Sequence, residues 1–283
     1  MVTTDPDALR DLLRAGDVVA LTGAGLSTES GIPDYRGPDG ERRFQPMTAQ
    51  ELLADPVARQ RYWARSYVGW PRFAAARPNS GHYAVARLQR AGAIGPIITQ
   101  NVDGLHQGAG ADRVAELHGS LTHVVCMQCG ERYRRETVDE WLTLANPDFD
   151  RSAEGPLRPD GDVAIADELI SRFHIVHCIV CGSDLLKPDV VMFGESVAKD
   201  LVEQCFSYVE QASSLLVLGS SLAVMSGYRF VRRAARLGIP VAIVTHGWTR
   251  ATDDEVSIRL DAPLGATLTR LARDVTRTPA DQA

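Results

Sequence analysis

Short aliphatic runs recur along this chain at wide intervals. Residues 17–22, 95–99, 214–219 and 240–245 each hold one, closed by threonine or glycine. Runs this short and this apolar predict strands buried on both faces. Between them, 80–91, 199–212 and 228–237 carry apolar residues at helical spacing. Asp5-Pro6 predicts a further helix to about residue 15, with Asp as N-cap and Pro at the first helical position. Strands alternating with helices define an α/β fold in which a parallel sheet is covered on both faces.

Two stretches break this rhythm. Residues 41–75 are rich in Arg and aromatics (Tyr62, Trp63, Tyr67, Trp70, Phe73), and 121–186 hold four cysteines around a Pro-, Asp- and Gly-rich middle. Both read as excursions from the sheet. The expected organisation is a large domain of 1–40, 76–120 and 187–283, with a smaller domain formed by the insertions 41–75 and 121–186. The tail beyond Arg273 is polar and is expected to fray.

Composition narrows the partners more than the fold. The 283 residues, 45% hydrophobic and 23% charged, suffice for a real core and exclude wholesale disorder. A net charge of −6 argues against nucleic acid as the main partner. No apolar run approaches the roughly 18 residues that a membrane span needs. Residues 1–10 show neither a signal-peptide nor a transit pattern, so a cytoplasmic location with no membrane partner is expected.

Four segments carry candidate chemistry. Gly23-Ala24-Gly25-Leu26-Ser27-Thr28 follows the first strand. Glycines there let a diphosphate approach the backbone, with a helix N-terminus beyond to hold the charge. Thr28 stands where the usual fingerprint has its third glycine, so a tight turn alone also fits. Gly31-Ile32-Pro33-Asp34-Tyr35-Arg36 then adds a guanidinium fork suited to a diphosphate. Thr99-Gln100-Asn101-Val102-Asp103-Gly104-Leu105-His106 lies at a strand's carboxyl end, the edge where open α/β sheets bind ligands. Asn101 can donate and accept there and Asp103 can accept, though strand-end caps use the same residues; His106 reads as structural or solvated.

In Glu116-Leu117-His118-Gly119-Ser120, His118 titrates near neutrality and is a candidate general base, the alternative being a satisfied structural imidazole. Cys126-Met127-Gln128-Cys129 and Cys178-Ile179-Val180-Cys181 are two matched pairs, each followed by glycine (Gly130, Gly182). Four thiolates satisfy a tetrahedral zinc ion and leave no open position, so the site would be structural; a redox pair explains one motif but not two. His123, His174 and His177 read as bystanders, and Cys205 as core.

Taken in order, these segments resemble the sirtuins, the NAD-dependent protein deacylases. The stretch from Gly23 to Arg36 is similar to their cofactor loop, Thr99 to His106 to their nicotinamide and ribose segment, and Glu116 to Ser120 to the surroundings of their catalytic histidine. The four cysteines resemble their zinc ligands, and Phe193-Gly194-Glu195 and Gly219-Ser220-Ser221-Leu222 match further blocks. Arg59-Gln60-Arg61-Tyr62-Trp63-Ala64-Arg65, Val68-Gly69-Trp70-Pro71 and Ser226-Gly227-Tyr228-Arg229-Phe230 look like the class II branch.

The resemblance implies a Rossmann-like large domain, a smaller zinc-binding domain, and a cleft for NAD+ and an acyl-lysine protein or peptide. It implies catalytic roles for His118 and Asn101, and one structural Zn2+ on Cys126, Cys129, Cys178 and Cys181. The implied cofactor contacts are Gly23, Ala24, Gly25, Thr28, Ile32, Asp34, Tyr35, Arg36, Gln100, Asn101, Asp103, His118, Gly219, Ser220, Ser221, Thr245, His246, Gly247 and Leu264. Val191, Phe193, Gly194, Glu195 and Val224 would meet the peptide by strand addition. The implied reaction moves the acyl group from lysine to ADP-ribose and releases nicotinamide. His118 would take a proton from a ribose hydroxyl, and Asn101 would order the ribose and a water.

Two departures matter. Thr245-His246-Gly247 stands where the family usually has Asn-x-Gly, which removes an expected ribose contact but keeps a hydroxyl. The pair by which some sirtuins read an acyl carboxylate, Tyr-x-x-Arg, falls on Ser66 and Gly69 when counted from Trp63, although the string itself occurs as Tyr62-Trp63-Ala64-Arg65. Neutral acyl groups are therefore expected over succinyl. An ADP-ribosyltransferase using the same pocket and a non-catalytic zinc-ribbon module are the other classes these segments allow.

Overall fold

Two-sided burial of the aliphatic runs builds the centre of the molecule. The computed structural model describes residues 2–152 and 155–276. In it α1 (Pro6–Ala15), capped by the Asp5 carboxylate, leads into β1 (Val18–Thr22). Two single 3-10 turns follow, then α2 (Ala49–Ala54), α3 (Pro56–Ala74), α4 (Ser80–Arg90) and β2 (Ile94–Thr99). The one-turn α5 (Leu105–Gly108) precedes β3 (Val114–Glu116), β4 (Gly119–Cys126), β5 (Arg132–Arg134) and α6 (Arg135–Ala145). Next come α7 (Asp167–Ile170), β6 (Leu186–Val190), α8 (Lys199–Gln211) and β7 (Ser214–Leu218). The order ends with α9 (Met225–Arg236), β8 (Val241–Thr245), β9 (Ile258–Asp261) and α10 (Leu264–Thr276).

Six strands form one parallel sheet in the order β3-β2-β1-β7-β8-β9. Alternation along β1 sends Val18 and Ala20 into one core with Leu9, Leu88 and Leu268, under α1, α4 and α10. Val19 and Leu21 enter the other, with Cys205, Val209, Phe230 and Val231 under α8 and α9. The strand order reverses at β1, with β2 and β3 on one side and β7 to β9 on the other. Such a switch point opens a crevice beyond the carboxyl ends of the strands.

The insertions 41–75 and 121–186 come together beside this crevice. β4 pairs antiparallel with β5 and β6, and Tyr62, Trp63 and Tyr67 of α3 share a core with Tyr133, Val138, Leu142 and Phe173. Gly119 pairs with Val190 across this small sheet, so the expected boundaries at 120 and 187 fall inside its strands. That pairing sets residue 118 at the junction of the two sheets.

The expected strands and helices are present, with the helix expected at 228–237 starting at Met225. Three features differ. β3 and β9 are three and four residues long, too short to give a periodic signal. The segment after Arg273 stays helical to Thr276, because α10 buries Leu268, Leu271 and Ala272 against the sheet; 277–283 lie outside the described residues. No regular helix follows Gly23, whose loop instead makes the two 3-10 turns. Among the described residues, no helix is long and apolar enough to cross a membrane.

Candidate active site

The carboxyl ends of β1, β2 and β7, together with residue 118, surround a cavity of about 420 Å³. Gly25 owes its identity to a backbone crossing. Its N–H donates to Gly219 O at 2.9 Å, and a Cβ there would lie 2.8 Å from that oxygen. Gly23 is packed in the same way against Ser220. This crossing draws Gly23, Ala24, Gly219, Ser220 and Ser221 onto one wall of the cavity.

A hydrogen-bonded chain fixes the next wall. The Asn101 amide donates to Gly23 O at 3.1 Å and to Ser27 Oγ at 3.0 Å. Ser27 in turn donates to Asp103 Oδ2 at 2.7 Å, and Asp103 Oδ1 accepts from Leu105 N at 2.9 Å. Both amide hydrogens of Asn101 are committed, which leaves its Oδ1 as an acceptor for a ligand. Ile32, Tyr35 and Arg36 close this side, with Arg36 steadied by donation to Gly40 O at 2.7 Å. His106 is buried beneath, its Nε2 2.9 Å from Thr22 Oγ1, and is structural.

His118 is held at both nitrogens. Nδ1 lies 2.9 Å from Gln100 O, and a carbonyl only accepts, so Nδ1 carries the proton. Nε2 is then the basic atom, 2.8 Å from Ser226 Oγ, whose hydroxyl donates to it. Burial pulls the imidazole below its ordinary pKa, the Gln100 carbonyl works against this, and the Arg229 charge adds to the lowering. The neutral base form therefore persists to lower pH. The acid limb of kcat/KM is expected below the ordinary imidazole value of about 6.5. Arg229→Gln is expected to move that limb upward. A native limb above that value would remove His118 as the titrating base.

The opposite rim contains Val191, Phe193, Gly194, Glu195 and Val224. Phe193 O already accepts from Ala49 N at 3.0 Å, and the Glu195 carboxylate is held by Lys187 at 3.0 Å and Met192 N at 2.8 Å. Glu195 thus stiffens the rim rather than projecting a free charge.

Seven sequence-expected contacts are not on the cavity wall. Gly25 and Thr28 sit in the first 3-10 turns, with Thr28 Oγ1 donating to Gly25 O at 3.0 Å. Asp34 is engaged by Arg43 at 2.9 Å. Thr245 is buried at the end of β8, His246 pairs with Asp261 at 3.0 Å, Gly247 packs under Pro38, and Leu264 is buried behind Gly219. Ser66 and Gly69, expected at the acyl end, also face elsewhere; Tyr62 lines the cavity instead. Gly69 is the seat on which the Gly161 carbonyl rests. The helical phase of α3 in its real packing decides this, and one tryptophan cannot supply it.

Sequence reasoning missed Ser27, Ser226, Arg229, Asp160 and Asp162 on this wall. Ser226 and Arg229 lay inside a quoted segment, but nothing local shows that α9 turns them toward residue 118.

The four cysteine sulfurs lie within 4.8 Å of one another, with Cys126–Cys181 and Cys129–Cys178 both 3.6 Å apart. Sulfurs about 2.3 Å from a tetrahedral zinc are about 3.8 Å apart, so the donor set fits that ion. Gly130 and Gly182 take positive φ of 79° and 74°, returning their N–H groups to Cys126 O and Cys178 O. The Tyr133 hydroxyl sits 3.0 Å from Cys178 Sγ, an outer-shell donor to a thiolate. His123 and His177 are engaged with Thr122 and Gly182 instead.

An open α/β sheet with a half-buried imidazole beside its switch point is an architecture that nucleotide-dependent enzymes use. Comparison with known proteins narrows the class: residues 23–226 match the model of the Sir2 family, and the chain belongs to that family. It is 54% identical to NAD-dependent protein deacetylase 1 of Streptomyces coelicolor, over 95% of this chain and 90% of that one. It is 44% identical to NAD-dependent protein deacetylase 1 of Mycobacterium avium, over 93% of each. A solved complex of Sir2 with a p53 peptide and NAD+ superposes with a TM-score of 0.74 at 30% identity, over 96% of this chain and 98% of that one.

Proposed function

We propose that this protein removes acyl groups from protein lysines at the expense of NAD+, with His118 as general base. The observation that carries the residue assignment is the His118 tautomer: Nδ1–H fixed on Gln100 O, and Nε2 presented as the acceptor beside Asn101 and the crossing of Gly23 with Ser220. Bound NAD+ supplies the acceptor, so that nicotinamide leaves and the acyl group passes from lysine nitrogen to ADP-ribose.

The chain's own residues do the rest. Arg36 and the wall formed by Ala24, Ser220 and Ser221 would hold the diphosphate. Ile32 and Asp103, on the wall beside Asn101, offer an apolar face and an acceptor to a carboxamide. Asn101 Oδ1 orders the ribose and a water, and His118 Nε2 accepts the hydroxyl proton. Gly194 and Val224 flank an extended peptide. Four cysteines clustered as metal ligands, with none of the five in a disulfide, support a reducing, cytoplasmic setting.

The test is nicotinamide release over a panel of acyl-lysine peptides. Release that needs both NAD+ and an acyl peptide, with matching loss of the acyl group, is the expected result. Labelled ADP-ribose appearing on protein without acyl loss would point instead to ADP-ribosyl transfer.

A further inference from the structure

The turn that runs from Leu157 to Val163 brings two carboxylates to the far wall of the same cavity. Its shape follows from sequence. Leu157 bridges Val163, Arg158 O accepts from Gly161 N at 2.9 Å, and Gly161 takes a φ of 77° that suits glycine alone. The turn docks because Gly69 on α3 leaves room for the Gly161 carbonyl, while Gly161 itself rests against Leu121 and Phe73. Leu121 lies on β4 three residues past His118, and its N–H donates to Val102 O at 3.0 Å. The turn is thus packed directly onto the strand that leaves the catalytic histidine.

Asp160 and Asp162 form a partition. Both line the main cavity, and both line a smaller hollow of about 250 Å³ behind it. Arg65 and Arg158 line only the hollow. The two aspartates therefore stand between the cavity and the cations. Asp162 is 7% exposed and ion-paired with Arg158, whose Nη1 lies 3.4 Å from Oδ1 and donates to Oδ2 at 3.5 Å, leaving Oδ1 without a well-directed donor. Asp160 Oδ1 is also buried without a donor. Burial pushes both carboxyls above the usual carboxylate range, and the Asp162 charge adds to the shift of Asp160. A pair that shares one proton behaves in this way and keeps a single negative charge.

We infer that Asp160 and Asp162 select the acyl group: the cavity accepts acyl chains whose far end donates a hydrogen bond, such as hydroxyacyl groups, and rejects chains that end in a carboxylate. A donor satisfies Asp160 Oδ1, a buried acceptor that is otherwise unpaired, which hydrogen-bonding sites reward strongly. A terminal carboxylate meets like charge and cannot reach Arg65 or Arg158 without displacing the partition. This rests on the deacylase reading above, since it identifies the far wall as the acyl end.

The experiment compares butyryl-, 3-hydroxybutyryl- and succinyl-lysine versions of one peptide. It measures kcat/KM with NAD+, and peptide Kd by calorimetry in parallel. The native enzyme is expected to favour 3-hydroxybutyryl over butyryl by about tenfold, with succinyl roughly 100-fold below butyryl. Asp160→Asn and Asp162→Asn should each raise the succinyl-to-butyryl ratio about tenfold or more, because one carboxylate is removed at constant shape. An unchanged ratio in both folded variants overturns the inference. So does a native preference for succinyl that Arg65→Met abolishes, which would make Arg65 the reader of the acyl group. Failure of every acyl peptide to turn over, acetyl included, strikes the deacylase reading, and the order of the three Kd values still decides the role of the wall.

Discussion

His118→Ala lowers deacylation by roughly 10²–10⁴-fold, the contribution of a positioned general base. The loss should appear in kcat, with NAD+ affinity changed little. The wall proposed to hold the cofactor consists of Gly23, Ala24, Arg36 and the Gly219–Ser221 loop, none of which depends on the imidazole. Gln100 keeps its bond to Ser220 Oγ at 2.8 Å when the ring is gone, so the strand end should hold its shape. The control is a purified, zinc-loaded variant with native circular dichroism. Near-native turnover in such a preparation would remove His118 from the chemistry.

Loss of the metal should be the most damaging change to the fold. Elemental analysis is expected to find one zinc per chain, and Cys126→Ser or Cys181→Ser to lose it. A closed thiolate site contributes folding free energy directly, about 10–16 kcal/mol in isolated zinc-finger peptides. Here it ties β4 to the chain before β6, since Cys126 and Cys181 face each other at 3.6 Å. β4 also pairs Gly119 with Val190, next to His118 and Val191. The small domain should therefore melt early, and activity should fall with it although no cysteine touches the cavity. Cys205→Ser, in the core under α8, is expected to retain a full equivalent of zinc. A metal-free preparation with full activity would end the structural-zinc assignment.

The two kinds of site were unequally legible in sequence. A thiolate quartet announces itself through composition and spacing, because few other roles need paired cysteines each followed by glycine. The imidazole did not. Its tautomer depends on Gln100, eighteen residues away, and on Ser226, more than a hundred away. Asn101 was visible as a strand-end residue, but its commitment to Gly23 and Ser27 required β1 and β2 to be neighbours. Gly23 and Gly25 read correctly as positions where no side chain fits, yet the backbone they admit is that of Gly219 and Ser220 rather than a ligand alone.

By itself the sequence determined the parallel sheet, its helical cover and the paired cysteines that cluster as a metal-binding quartet. Each of these is written in local periodicity or in residue chemistry at short range, where 3.6- and 2-residue repeats and cysteine pairs leave a direct record. Tertiary structure alone decided that α10 continues past Arg273, that β3 and β9 complete the sheet, and that Thr245 stands behind the cavity wall. It also decided that Tyr62, not Ser66 or Gly69, lines the cavity, and that Asp160 and Asp162 stand between the cavity and Arg65 and Arg158. The reason is common to all of these. Which face of an element meets the cavity depends on the partner it packs against, and those partners lie tens to hundreds of residues away along the chain.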